Sequence, residues 1–303
     1  MEYQISNDRL SVRVSSKGAQ LMSLYSNSRR KEYLWQGDPV YWGDRAPLLF
    51  PACSRIAGDR ITVKGQEYFL PVQGFAKNME FAAVEEGIDR LVLEVSSDEK
   101  TLAMFPYPFR LQVTFSLEGE KLIEKFNVIN CGSEDMYFSL GSHPGFFCPI
   151  DLHESTDDYV LEFDEEQNIC RYETEDFTKL LLHETSPFIT GKELSLNDAF
   201  FADGPKLLGG LNACCIRLRS KKSGQFVEMG IRGFPYMALW GLNGRIMKRH
   251  AISSARFCWW TAASARTEAL LNKENPADPG ERCSSGGLPS IDRREGRIRH
   301  AAI

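Results

Sequence analysis

The sequence predicts an all-β fold of antiparallel sheets. Many short segments alternate apolar and polar residues with period two, and hairpin-length turns separate them. No long helical period interrupts the series, and no Gly-rich loop sits between a strand and a helix, which leaves dinucleotide and P-loop folds without support. Strict alternation means one buried face and one wet face, as antiparallel sheets allow.

The N-terminal stretch Met1 to Leu10 reads as a first strand, since no basic region followed by an apolar core marks it as a signal peptide. Arg9–Ser15, Arg60–Lys64, Arg90–Val95 and Phe109–Leu117 alternate cleanly. So do Lys121–Ile129, Tyr159–Phe163, Cys215–Arg219 and Gln225–Ile231. Lys64-Gly65-Gln66, Glu118-Gly119-Glu120 and Lys222-Ser223-Gly224 supply the turns between them. At 303 residues the chain fits one large sandwich or barrel.

Near residue 245 the text changes. Up to Trp240-Gly241 it is aromatic and alternating; beyond Arg245 it is rich in Ala, Ser and Arg. The expected organisation is a β-sandwich domain over 1–244 and an atypical segment over 245–303 that nominally completes the same domain. That segment is open between a tail without packed structure and a stretch read in a shifted frame.

Composition narrows the functional classes. Apolar residues make up 43% of the chain and charged residues 25%, as in globular proteins. A net charge of -5 disfavours phosphate backbones, so nucleic acid is not an expected partner. No apolar run is long enough to span a bilayer, and a cytoplasmic location is expected. The eight cysteines are scattered, without CxxC pairs or ligand spacing, so ordinary thiols are expected and neither a disulfide framework nor a zinc site.

Four segments set polar side chains in apolar, strand-end surroundings. In Ala46-Pro-Leu-Leu-Phe-Pro-Ala-Cys-Ser-Arg55, the rigid approach leaves the Arg55 fork free to grip hydroxyls, or to make a surface ion pair. Gln73, before Gly74, both donates and accepts, which suits a sugar hydroxyl as well as a turn. His143 ends the apolar strand Tyr137-Phe-Ser-Leu-Gly-Ser and is pinned by Pro144, in a place for acid–base work or for a structural role. Asp198, in Ser195-Leu-Asn-Asp-Ala-Phe-Phe201, needs a partner, either a substrate hydroxyl or its own backbone. The other histidines, His153, His183, His250 and His300, lack such framing and are expected at the surface.

Taken in order and spacing, these segments resemble the aldose 1-epimerase family, in particular its bacterial LacX-like branch. The resemblance also draws on Glu32-Tyr-Leu-Trp-Gln-Gly-Asp-Pro-Val-Tyr-Trp42, Gln73-Gly-Phe-Ala-Lys77, Ser139-Leu-Gly-Ser-His-Pro-Gly-Phe146 and Phe234-Pro-Tyr-Met-Ala-Leu-Trp240. It implies a galactose mutarotase-like supersandwich and interconversion of the α and β anomers of a free aldose, with no cofactor and no metal. In this likeness His143 matches the general acid, Arg55 a sugar-contacting arginine and Asp198 a hydroxyl-binding acid. Gln73 stands where relatives usually carry a histidine. Relatives place the general base in an apolar Glu-Pro-Trp strand; the nearest stretch here, Arg256-Phe-Cys-Trp-Trp-Thr261, has no carboxylate, so the base is not identified. Glu268 is the closest acid, in Ala/Ser/Arg surroundings unlike a buried strand. Two alternatives stay beside the epimerase reading: a catalytically impaired sugar-binding protein, and a hexose-6-phosphate 1-epimerase using Arg55 with Lys77 or Arg232. The expected partner is a monosaccharide, and monomer and homodimer both stay open.

Overall fold

The computed structural model describes the chain except residues 176–178, 202–203, 232–233, 235, 242–255, 267–295 and 303. Four strands, β1 (Glu2–Ser6), β2 (Leu10–Ser15), β3 (Gln20–Ser26) and β4 (Lys31–Glu32), form an antiparallel meander. A long loop leads to the two-residue strand β5 (Leu48–Leu49) and the separate hairpin of β6 (Arg60–Val63) and β7 (Gln66–Phe69). Next come β8 (Ala82–Glu86), β9 (Arg90–Ser96), the one α-helix among the described residues, α1 (Glu99–Met104), and the hairpin of β10 (Phe109–Glu118) and β11 (Lys121–Asn130). The remainder is β12 (Tyr137–Ser142), β13 (Gly145–Phe147), β14 (Tyr159–Glu175), β15 (Lys179–Ser195), β16 (Lys206–Gly209), β17 (Cys215–Ser220), β18 (Phe226–Gly230), β19 (Tyr236–Gly241), β20 (Arg256–Arg266) and β21 (Gly296–Ala302).

Two large sheets organise the molecule. One has the order β21-β11-β10-β9-β8; the other, ten-stranded, runs β18-β17-β14-β16-β19-β20-β12-β5, with β13 on β20 and β15 on β14. The pairings within both are antiparallel. The period-two pattern explains why. In β10, Phe109, Leu111, Val113, Phe115 and Leu117 are buried while Arg110 and Glu118 are exposed. These apolar rows join those of β12, β14, β16, β17 and β19 in one continuous core.

Within the atypical segment, the backbone of β20 runs between β12 and β19, and that of β21 along β11. The cysteine expectation needs one correction. Cys53, Cys131, Cys148, Cys170 and Cys215 are free thiols, whereas Cys214 is disulfide-bonded. His153 is exposed, and the side chains of His183, His250 and His300 lie outside the described residues.

Candidate active site

The site grows out of one short crossing of chain. Phe50 packs among Phe75, Phe105, Phe109 and Phe138, with ring centroids 5.0 to 6.3 Å apart. Its carbonyl accepts from the N–H groups of both Phe75 and Ala76, at 3.0 and 3.1 Å. Gly74 bridges Phe50 directly, and a Cβ there would come within 2.1 Å of the Phe50 oxygen. Gln73 (φ 63) and Gly74 (φ 69) turn the chain sharply, and a 3-10 turn over Ala76–Asn78 then brings Lys77 back over Gln73. The Lys77 ammonium donates to Gln73 Oε1 at 3.2 Å and to Asp44 Oδ2 at 3.4 Å.

The same crossing reaches the other expected residues. The Gln73 N–H bonds the Ser54 carbonyl at 3.2 Å, which places Gln73 beside Arg55 along the backbone. The Arg55 guanidinium is half exposed and pairs with Asp59 at 3.7 Å. Upstream, the carbonyl of Pro47 accepts from the His143 N–H at 3.2 Å.

His143 lies between β12 and β13 and is 7% exposed. The loop 33–47 is laced to this strand end: Gly145 donates to Arg45, Trp35 donates to Gly145, and Phe147 donates to Tyr33. That lacing sets Trp42 edge-on to the imidazole at 4.9 Å, and Trp240, at the end of β19, edge-on to Trp42 at 6.2 Å. His143 Nδ1 is buried without a hydrogen-bond partner among the described residues. Burial, followed by the positive charge of Lys77, pushes the imidazole down to about 3, so the ring is neutral at physiological pH.

Behind the site, Glu124 of β11 is 6% exposed in the core. Burial raises its carboxyl to about 7, and the Ser142 hydroxyl, one residue before His143, donates to it at 3.4 Å.

Of the expected site residues, the structure brings His143 and Gln73 to a shared neighbour, Lys77. Arg55 reaches the same crossing through Ser54 but turns its charge toward Asp59. Asp198 opens the 3-10 turn Asp198–Phe201, and its side chain lies outside the described residues; the neighbouring Asn197 caps that turn by accepting from the Phe200 N–H at 2.8 Å. Arg232 also lies outside them. Trp42 and Trp240 were not among the expected site residues, and Lys77 was named only beside Arg55 in the hexose-6-phosphate alternative, although all three stood in the quoted segments. Glu124 was missed too, yet it shares the period-two phase of Leu122, Phe126 and Val128, a visible sign of a buried acid. Among the described residues no group of three His, Cys, Asp or Glu is placed to hold a metal ion. Chemically, the site combines a neutral imidazole, an ammonium, an amide and two indoles, which suits hydrogen bonding and stacking with a polyhydroxylated ring.

Comparison with known proteins agrees with this architecture. The family described as aldose 1-epimerase matches residues 1–261. Protein LacX of Lactococcus lactis subsp. lactis, in its plasmid form, is 31% identical over 253 residues, covering 81% of this chain and 84% of its own. A galactose mutarotase related enzyme from Lactobacillus acidophilus superposes with a TM-score of 0.81 at 25% identity, covering 100% of this chain and 96% of its own. A galactose mutarotase-like protein from Lactobacillus casei gives a TM-score of 0.77 at 21% identity, covering 100% and 98%. The sheets described above therefore form a galactose mutarotase-like fold.

Proposed function

The chain belongs to the aldose 1-epimerase family, and from that premise we propose that it interconverts the α and β anomers of a free aldose. The reaction opens the pyranose by moving one proton off the C1 hydroxyl and one onto the ring oxygen. The C1–C2 bond then rotates, and the ring closes on the other face. Two groups that exchange protons suffice, and neither must be a cofactor.

The observation that supports this reading is the buried His143, with a ring nitrogen that has no hydrogen-bond partner among the described residues and an indole on one side. A buried polar atom without a partner costs on the order of 1–3 kcal/mol, and a sugar hydroxyl or ring oxygen in the site removes that cost. Trp42 and Trp240 offer faces for the apolar side of a pyranose. Gln73 and Lys77 supply donors and an acceptor for its hydroxyls, and Arg55 and Asp198 are proposed as further substrate contacts.

One observation favours a second reading. The β20 sequence Arg-Phe-Cys-Trp-Trp-Thr-Ala-Ala-Ser-Ala-Arg carries no Asp or Glu, so a site relying on a carboxylate from that strand binds sugar without turning it over. Polarimetry of freshly dissolved α-galactose and α-glucose separates the two. The epimerase reading expects rotation to equilibrate faster with protein than in buffer, and His143→Ala to lower that acceleration on the order of 10²–10⁴-fold. Retained sugar binding with no acceleration by the parent chain leaves the binding reading alone.

A further inference from the structure

We propose that Lys77 is a positioning residue that sets the hydrogen-bonding polarity of Gln73, so that Gln73 meets the sugar through its amide N–H groups. The assignment deepens the epimerase reading and rests on its sugar site. It starts from a contact that admits one orientation. The Lys77 ammonium lies 3.2 Å from Gln73 Oε1. An ammonium carries three donors and no acceptor, so the amide atom facing it has to be the oxygen and not Nε2. A planar amide that points its oxygen at Lys77 directs Nε2 and its two hydrogens away from that lysine.

Three further observations hold this arrangement in place. First, the Gln73 backbone is fixed: its N–H donates to the Ser54 carbonyl at 3.2 Å, and it enters the turn with φ 63. Second, the Lys77 backbone is fixed. The N–H of the preceding Ala76 donates to the Phe50 carbonyl at 3.1 Å. Gly18 packs so closely that a Cβ there would come within 2.5 Å of the Lys77 carbonyl oxygen, and the Gly18 N–H donates to the Met79 carbonyl at 2.7 Å. Third, the ammonium itself is tethered by Asp44 Oδ2 at 3.4 Å. Asp44 stands two residues beyond Trp42, whose ring centroid is 4.9 Å from that of His143. The chain Asp44–Lys77–Gln73 thus ties the loop that carries the indole to the turn beside Arg55.

The consequence is a choice of ligand atom. A glutamine amide has one accepting end and one donating end of nearly the same size, and a half-turn exchanges them. Lys77 removes that freedom, because Nε2 turned toward the ammonium would set donors against donors. Position 73 therefore selects a sugar oxygen that accepts a hydrogen bond. The Asp44–Lys77 pair is partly exposed and contributes little stability of its own, so its loss is read in sugar binding and not in folding.

Gln73→Glu tests the polarity. Glutamate has nearly the same shape and keeps an oxygen for Lys77, but it replaces Nε2 with a second oxygen. Tryptophan-fluorescence titration with galactose reads Kd whether or not the sugar is turned over. The expected result is a rise in Kd on the order of 10-fold, close to that of Gln73→Ala. Lys77→Met is expected to raise Kd about 5-fold, and Lys77→Arg, which keeps a donor for Oε1, to recover most of that loss. Added to Gln73→Ala, Lys77→Met is expected to cost little more, because it acts through the amide. In polarimetric kinetics the same variants are expected to raise KM with kcat little changed. Circular dichroism and the thermal midpoint check that each variant is folded. Gln73→Glu binding as tightly as the parent overturns the polarity. A Lys77→Met cost that is the same with and without Gln73 overturns the positioning role. A parent that binds galactose without accelerating its mutarotation removes the epimerase reading alone, since Kd still decides this assignment. A parent that binds no galactose overturns both.

Discussion

Two buried titratable groups stand back to back at the strand end, and they pull stability in opposite directions. Glu124 has a folded-state carboxyl raised to about 7 from 4.5. In the fold it holds a proton that the unfolded chain releases, so its contribution is full below pH 4.5 and is lost as pH rises toward 7. The change is on the order of 3 kcal/mol. His143 is lowered to about 3 from 6.5, so its contribution is present above 6.5 and is lost as pH falls toward 3. Urea denaturation of the parent and of Glu124→Gln across this range isolates the carboxyl. The variant is expected to gain on the parent as pH rises from 4.5 to 7, and equal pH slopes in both would contradict a buried, protonation-linked Glu124. Gly74→Ala is expected to cost about 1–3 kcal/mol in the same assay, because the position has a positive φ and no room beside the Phe50 carbonyl. Much of this was readable from local text. His143 announced itself by its place between an apolar strand and Pro144. Lys77 was named only in the hexose-6-phosphate alternative, because its fold-back onto Gln73 and its approach to Asp44 come from the tertiary arrangement alone.

Elements followed the same division. Strands with one wet face were legible because alternation is a direct image of a two-faced sheet. β2, β6, β9, β10 and β11 lie within a residue or so of the alternating stretches. β3 was not marked: Gln-Leu-Met-Ser-Leu-Tyr-Ser buries Leu24 next to the buried Ser23, which blurs the period. The short helix α1 went unmarked too, since six residues carry too little periodicity. Its start was nonetheless written in Asp98-x-x-Thr101, a capping box in which Asp98 Oδ1 accepts from the Thr101 N–H at 2.7 Å and Thr101 Oγ1 accepts from the Asp98 N–H at 2.8 Å. At this scale the β10–β11 hairpin gives a clear prediction. Glu118 pairs with Lys121, leaving a two-residue loop whose first position, Gly119, has φ 59. A Cβ there meets nothing within 4 Å, so only backbone strain opposes a side chain. Gly119→Val is expected to lower stability by about 1–2 kcal/mol without touching sugar kinetics. A variant as stable as the parent by thermal midpoint would mean that the turn relaxes to another type.

For the molecule as a whole, the two large sheets share one core, and the residues that meet at the site come from chain far apart in sequence. β5 and its crossing with Gly74, the loop 33–47, the end of β12 and the end of β19 each deliver part of it. No single segment could therefore disclose the site; the fold class was legible early, whereas its assembly needed the sheet order. Membership of the aldose 1-epimerase family motivates the chemistry proposed for that assembly, and the carboxylate-free β20 sets the question this chain poses within it. The most direct measurement is NMR exchange between the α and β H1 resonances of an aldohexose at anomeric equilibrium, with the parent chain, with His143→Ala and with buffer alone. The account predicts faster exchange with the parent than in buffer, and a return to the buffer rate when the imidazole is removed. Exchange that the parent does not accelerate, or that His143→Ala accelerates equally, would contradict it.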